Sequence, residues 1–190
     1  MRSLIVDTAT KNLYIALMDD ENIIEESTFS ESKEHSKNIM PQIDQILKDN
    51  HLEIKDIDRI YVGIGPGSYT GVRIGVAVCK MLAWTLNVPL YEVSSLYVMS
   101  SKFENKAPII DARRGNVFCA SYKNDESEVP EALRNIDEFK AMTSYDLVDE
   151  DHFSPDPVKI MRLGKLVSPH ACVPNYLRDT EAERNLHGEK

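Results

Sequence analysis

Three features of this 190-residue chain predict an α/β fold. Three short apolar runs separated by polar turns open it. An amphipathic helix pattern follows them. A fully apolar run then leads through a glycine-rich turn into a second helix. A strand meander followed by strand–helix alternation predicts a mixed sheet with helices on both faces.

The elements read in order as follows. Leu4–Asp7, Leu13–Met18 and Ile23–Phe29 are strands, joined by the turns Thr8–Asn12 and Asp19–Asn22. Ile39, Ile43, Ile46 and Leu47 lie at helical spacing and predict a helix from about Glu34 to Asp49, with Pro41 inside it. Ile60–Ile64 is apolar on both faces, as a central parallel strand requires. Gly65-Pro66-Gly67 makes a sharp structural turn, and Ser68 or Thr70 caps a helix that begins near Gly71 and is apolar almost all round. Leu90–Val93 is a strand, and Ser94–Ser95 opens a helix to about Phe103. This order fits an RNase-H/actin-like half-domain. After Ala107 the pattern starts again, with strands at Pro108–Asp111 and Val117–Tyr122, a polar loop at about Lys123–Glu131, a short helix from Thr143–Ser144 to Val148, and another from Asp156–Pro157 to Leu166. The expected division is a first lobe over residues 1–104, a shortened second lobe of similar type over 105–178, and a charged tail over 179–190.

Composition narrows the function. The chain carries 31 acidic and 22 basic residues, a net charge of −9, which opposes strong direct nucleic-acid binding. Cys79, Cys119 and Cys172 form no C-x-x-C pair and predict reduced thiols in the cytoplasm. No run reaches the length of a membrane span.

The obvious catalytic motifs fail one by one. The segment Gly65–Gly75 lacks the Lys-Ser or Lys-Thr of a P-loop, breaks the G-x-G-x-x-G spacing, and is not a G-x-S-x-G elbow because Gly67 directly precedes Ser68. A backbone anion site at the helix start stays open. Gly71 and Gly75 are four apart and share a helix face, which predicts close approach of another backbone. Asp7 ends the first strand, where actin-like ATPases place an acidic residue near metal-bound phosphate, but the following turn has no glycine; Asp7 capping its own turn is the plainer reading. His35 is followed four residues later by Ile39, so a helical histidine pair for a metal is absent. Asp111-Ala112-Arg113-Arg114-Gly115 reads as a charged surface turn or as an anion-binding hairpin.

Asp7-Thr8-Ala9-Thr10, Glu34-His35-Ser36 leading to Pro41, Gly65 through Gly75, Asp111-Ala112-Arg113 and Pro174-Asn175-Tyr176-Leu177-Arg178 resemble the TsaB family, the dimerisation subunit of the bacterial machinery that makes threonylcarbamoyladenosine in tRNA. The resemblance implies a degenerate actin-like (ASKHA) domain and a non-catalytic scaffold without cofactor or metal. It implies docking on a TsaD-like catalytic subunit, recruitment of a TsaE-like ATPase, and contact with tRNA only through the complex. It places the docking surface on the helix after the third strand and the helix after the glycine turn, here His35, Ile39, Ile43, Val72, Gly75, Val76, Cys79 and Ala83, with a second copy of the chain as an alternative occupant. Gly65, Pro66, Gly67 and Gly71 form the structural turn. The competing reading is an actin-like ATPase or kinase-type enzyme using Asp7 and the glycine turn.

Overall fold

The computed structural model describes residues 1–30 and 35–177, with side chains of the first helix from Ile39 onward. In chain order the elements are β1 (Arg2–Asp7), β2 (Leu13–Asp19), β3 (Asn22–Phe29), α1 (His35–Asp49), β4 (Arg59–Gly63), α2 (Tyr69–Leu86), β5 (Leu90–Val93), α3 (Ser95–Ser100), β6 (Asn105–Asp111), β7 (Asn116–Lys123), β8 (Glu126–Asn135), α4 (Ile136–Met142), β9 (Leu147–Val148), α5 (Pro157–Leu163) and β10 (Lys165–Val167).

A six-stranded sheet has the order β10-β5-β4-β1-β2-β3. β1, β2 and β3 pair antiparallel, while β4 and β5 run parallel to β1. This is the mixed topology expected of an RNase-H/actin-like lobe. The strand side chains explain why it needs cover on both faces. Leu4, Val6, Leu13, Ile15, Leu17, Ile60 and Val62 point to one face, where α1 and α2 bury them. Ile5, Tyr14, Ala16, Met18 and Tyr61 point to the other, against α3, Ile160 of α5, and Ile110, Ala120 and Tyr122 of the second sheet. Side chains alternate at period two, and with both faces covered β1 and β2 have no polar stripe.

The second sheet, β8-β7-β6-β9, repeats the beginning of the first. β6, β7 and β8 form an antiparallel meander and β9 lies parallel to β6, as β4 lies parallel to β1. Phe139 of α4 fills the outer face with Ala107, Val117, Cys119 and Val129. Lys106 ties this lobe to α3. Its fully buried ammonium donates to Asp125 at 2.7 Å and to the Phe103 carbonyl at 2.9 Å, over the Tyr97 ring.

Several expectations need correction. Residues from Lys123 to Glu131 are not a loop; Glu126–Asn135 is the edge strand β8. Its outward positions are polar and Pro130 interrupts it, which an edge tolerates. The helix expected from Thr143 to Val148 lies earlier, as α4, where the Asn135 side chain caps it by accepting from the Asp137 amide at 2.9 Å. α3 and α5 end at Ser100 and Leu163, before Phe103 and Leu166. Asp156 does cap α5, accepting from the amides of Val158 and Lys159 at 3.0 and 3.1 Å.

The end of the described chain also departs from the expected lobe boundary. β10 joins the first sheet antiparallel to β5. The following segment runs back along α2, from its last turn to its first. His170 stands edge-on to Trp84, the Cys172 carbonyl accepts from Lys80 at 2.7 Å, and the Tyr176 hydroxyl accepts from Arg73 at 2.6 Å. Asn175 then donates to the Ile64 carbonyl at 2.7 Å. Residues 165–177 therefore belong to the first sheet and its helix. Arg178 and the expected tail 179–190 lie outside the described residues.

Candidate functional site

The glycine turn takes its shape from what lies against it. Gly65 has φ 96°, a left-handed conformation suited to glycine. Its amide donates to Ser95 Oγ at 2.9 Å, and Ser95 Oγ donates in turn to Asp7 Oδ2. Asp7 Oδ1 accepts the Ala9 amide at 3.0 Å. The end of β1, the exit of β4 and the start of α3 thus meet on one carboxylate.

The β1–β2 turn fills the rest of the space. The Ser68 amide donates to the Ala9 carbonyl at 2.6 Å, and Thr8 Oγ1 donates to the Gly71 carbonyl at 2.7 Å. A Cβ at Gly67 would stand 2.2 Å from the Ala9 carbonyl oxygen, at Gly71 2.1 Å from that of Thr8, and at Gly75 2.3 Å from Thr8 Oγ1. Gly71 does admit a second backbone closely, but it is the chain's own Thr8–Ala9 turn, and what Gly75 admits is the Thr8 side chain.

This seating narrows the anion site left open at the helix start. The Ser68 amide is taken by Ala9, the Gly71 amide by Ser68 Oγ at 3.3 Å, and the Val72 amide by the Ser68 carbonyl at 2.9 Å. Two carbonyl oxygens stand against the turn where an anion would need donors. Asp7 is fully buried, and burial raises its pKa from 3.8 to about 6, against the opposing hydrogen bonds from Ser95 and Ala9. Burial also pushes the thiols of Cys79, Cys119 and Cys172 up, the last to about 11, which keeps all three un-ionised near neutrality. Among the described residues, no group of three or more His, Cys, Asp or Glu side chains is placed to hold a metal, and no helix is long and apolar enough to cross a membrane.

Apart from His35, the residues expected to form a docking surface are buried within the chain itself. Ile39, Ile43, Val72, Val76, Cys79 and Ala83 are each 3% exposed or less, and Gly75 is buried against Thr8. They form the chain's own core. The side chain of His35 lies outside the described residues. The exposed arc of α2 instead carries Thr70, Arg73, Ala77, Met81, Trp84 and Thr85, with Ile74 and Val78 half-buried; α1 adds Met40 and Pro41. Met81 and Trp84 are 56% and 64% exposed. The signal for this arc was present in the sequence. Arg73 and Lys80, the charged residues of α2, mark the side that cannot face the sheet.

Comparison with known proteins places this fold in a class. A family model described as TsaD, tRNA N6-adenosine threonylcarbamoyltransferase, matches residues 22–165. YeaZ from Pseudomonas aeruginosa has the same fold, with a TM-score of 0.75 over 93% of this chain and 99% of that one at 22% identity. The class is therefore the proteins related to that transferase. The tRNA threonylcarbamoyladenosine biosynthesis protein TsaB of Bacillus subtilis (strain 168) is 35% identical over 96% of each chain. The protein of that name from Escherichia coli (strain K12) is 35% identical over 68% of this chain and 58% of its own length. The chain belongs to the TsaB family. Its alignment with the B. subtilis protein runs over 221 positions, more than the 190 residues present here, so that relative carries residues this chain lacks.

Two measurements check the site. Gly71→Ala gains helix propensity of ~1 kcal/mol, but its methyl meets the Thr8 backbone. Net destabilisation of about 1–3 kcal/mol is expected in urea unfolding. For Asp7, the folded chain holds the proton more tightly than the unfolded one, and stability falls as pH rises from the unfolded value of 3.8 to about 6, then levels. Asp7→Asn abolishes that slope. It is expected to exceed the parent by about 1–3 kcal/mol above pH 6 and to match it near pH 4.

Proposed function

We propose that this chain is a non-catalytic docking subunit of the complex that places threonylcarbamoyl on adenosine in tRNA. The observation that carries this reading is the Thr8–Ala9 turn packed into the glycine turn. It occupies, with the chain's own carbonyl groups, the place where an actin-like enzyme would need donors for a phosphate. The names of the relatives supply the pathway, and the family match to TsaD supplies the class of partner.

The docking face in this reading is the outer arc of α1 and α2: Met40, Ile74, Ala77, Val78 and Met81, with Trp84 at its edge. The catalytic partner is a TsaD-like subunit. A TsaE-like ATPase joins the assembly, and a second copy of this chain competes for the same face when the partner is absent. tRNA is engaged through the assembly, in the cytoplasm. The inner residues Ile39, Ile43, Val72 and Val76 act indirectly by holding the two helices on the sheet.

Inner and outer arcs respond differently to charge. Met81→Asp and Ala77→Glu leave the fold intact and are expected to weaken co-purification with a TsaD-type subunit more than tenfold, since a charge buried on docking costs several kcal/mol. Val76→Asp places its charge in the chain's own core and is expected to unfold it. Retention of the partner by Met81→Asp would contradict the assigned face. Depletion of the protein is expected to lower threonylcarbamoyladenosine in total tRNA, read by mass spectrometry; an unchanged level would overturn the role.

A further inference from the structure

The docking role leaves the β6–β7 turn, Asp111–Asn116, unused. This turn stands in the second lobe where Asp7–Asn12 stands in the first. Each follows the first strand of a meander. Each begins with an aspartate whose Oδ1 accepts the amide two residues on, Asp7 from Ala9 at 3.0 Å and Asp111 from Arg113 at 2.8 Å. The two turns then diverge. The first is buried against glycines. The second is exposed at Asp111 and from Arg113 to Gly115.

Its backbone is unusual for its side chains. Arg113 and Arg114 have φ 69° and 56°, followed by Gly115 at 74°. Left-handed backbone is unfavourable for residues with a Cβ, and Asn or Gly is the ordinary occupant of such a hairpin turn. Arginine at both positions adds nothing to the turn itself. Among the described residues neither guanidinium has an ion-pair or hydrogen-bond partner; the hydrogen bonds made by Arg113 use its backbone, whose amide donates to Asp111 and whose carbonyl accepts from the Asn116 amide at 3.1 Å. Lys11, Lys48, Lys106, Lys159, Lys165 and Arg162, by contrast, all pair with carboxylates. Lys102 and Lys123 are also exposed without a carboxylate partner among the described residues, but only Arg113 and Arg114 stand side by side on left-handed backbone, and in a chain of net charge −9 they form a local cationic fork open to an anionic ligand.

We propose that Arg113 and Arg114 bind phosphate groups, and that these belong to an RNA backbone. The guanidinium fork matches phosphate oxygens in a bidentate way that lysine does not. Two such contacts cannot hold an RNA against the chain's overall negative charge. They add to a larger basic surface supplied by a partner, so the inference rests on the docking role proposed above. The turn fixes where the RNA backbone passes over the second lobe.

The test uses this chain assembled with its TsaD-type partner and an unmodified tRNA, with fluorescence anisotropy followed over a range of salt. Two double variants are compared with the parent, R113A/R114A and R113G/R114G. The glycine pair keeps the turn while relieving its strain, and is expected to raise the melting temperature. Both variants are expected to assemble with the partner normally, to bind tRNA about tenfold more weakly at low salt, and to lower the slope of log affinity against log salt by about 2. Competition by ATP or inorganic phosphate separates a free phosphate source from the RNA backbone. Displacement of tRNA by millimolar ATP in the parent but not in the variants would overturn the RNA assignment. If the parent assembly binds tRNA and the variants bind it equally, the site is overturned while the docking role stands. Loss of partner assembly in the variants would assign the arginines to a protein contact and overturn the RNA site. If the parent forms no complex or binds no tRNA, the docking role falls and this site falls with it.

Discussion

The packing of Thr8 and Ala9 into the glycines of the β4–α2 junction is the contact on which the rest of this structure depends. It brings the β1–β2 backbone within van der Waals distance of α2 and stitches the two segments with a pair of hydrogen bonds. Because Gly71 and Gly75 must face Thr8, the rotation of α2 about its axis is fixed. Val72, Val76 and Cys79 then fall on the sheet, and Ala77 and Met81 fall outward. The burial of Asp7 follows from the same closeness. Gly63 lacks a side chain where the Asp7 carboxylate lies, and Ser95 covers what remains. One turn thus sets both the burial of Asp7 and the arc of α2 left at the surface.

The two meanders show what that contact changes. Their strand orders agree, and both open with an aspartate that caps its own turn. Only the first turn has a glycine-bearing helix to receive it. The second is followed by β8 and the short helix α4, which meets the turn through the Ile136 amide on the Gly115 carbonyl at 2.9 Å. The second turn accordingly stays at the surface. Similar local sequence logic yields a sealed turn in one lobe and an open one in the other because the neighbouring element differs.

The first lobe was legible in the sequence because its signals are local and strong. Unbroken apolar runs at Leu4–Val6 and Ile60–Val62, the repeat of Ile39, Ile43, Ile46 and Leu47, and the Ser68 cap each identify an element without tertiary information. The second lobe was harder. β8 reads as a loop because Glu126, Ser127 and Glu128 are polar and Pro130 interrupts the alternation; it becomes a strand through its pairing with β7. β10 has three residues, with Leu166 63% exposed, too little pattern to register. Paired glycines announce that a backbone comes close, but not whose. A wholly apolar helix likewise hides which arc turns inward. Arg73 and Lys80 carried that information, and they outweigh the glycines as a guide to the exposed side.

The return of β10 to the edge of β5 has a consequence for how the chain acquires its shape during synthesis. The other five strands of the first sheet are complete once residue 93 has been made, yet its β5 edge stays uncovered until residue 167 emerges. The whole second meander is translated in between. An open strand edge is a template for unwanted pairing, and a contact spanning so many residues closes late because its loop entropy must be overcome first. The last described segment is thus the clasp that covers this edge and ends the vulnerable interval.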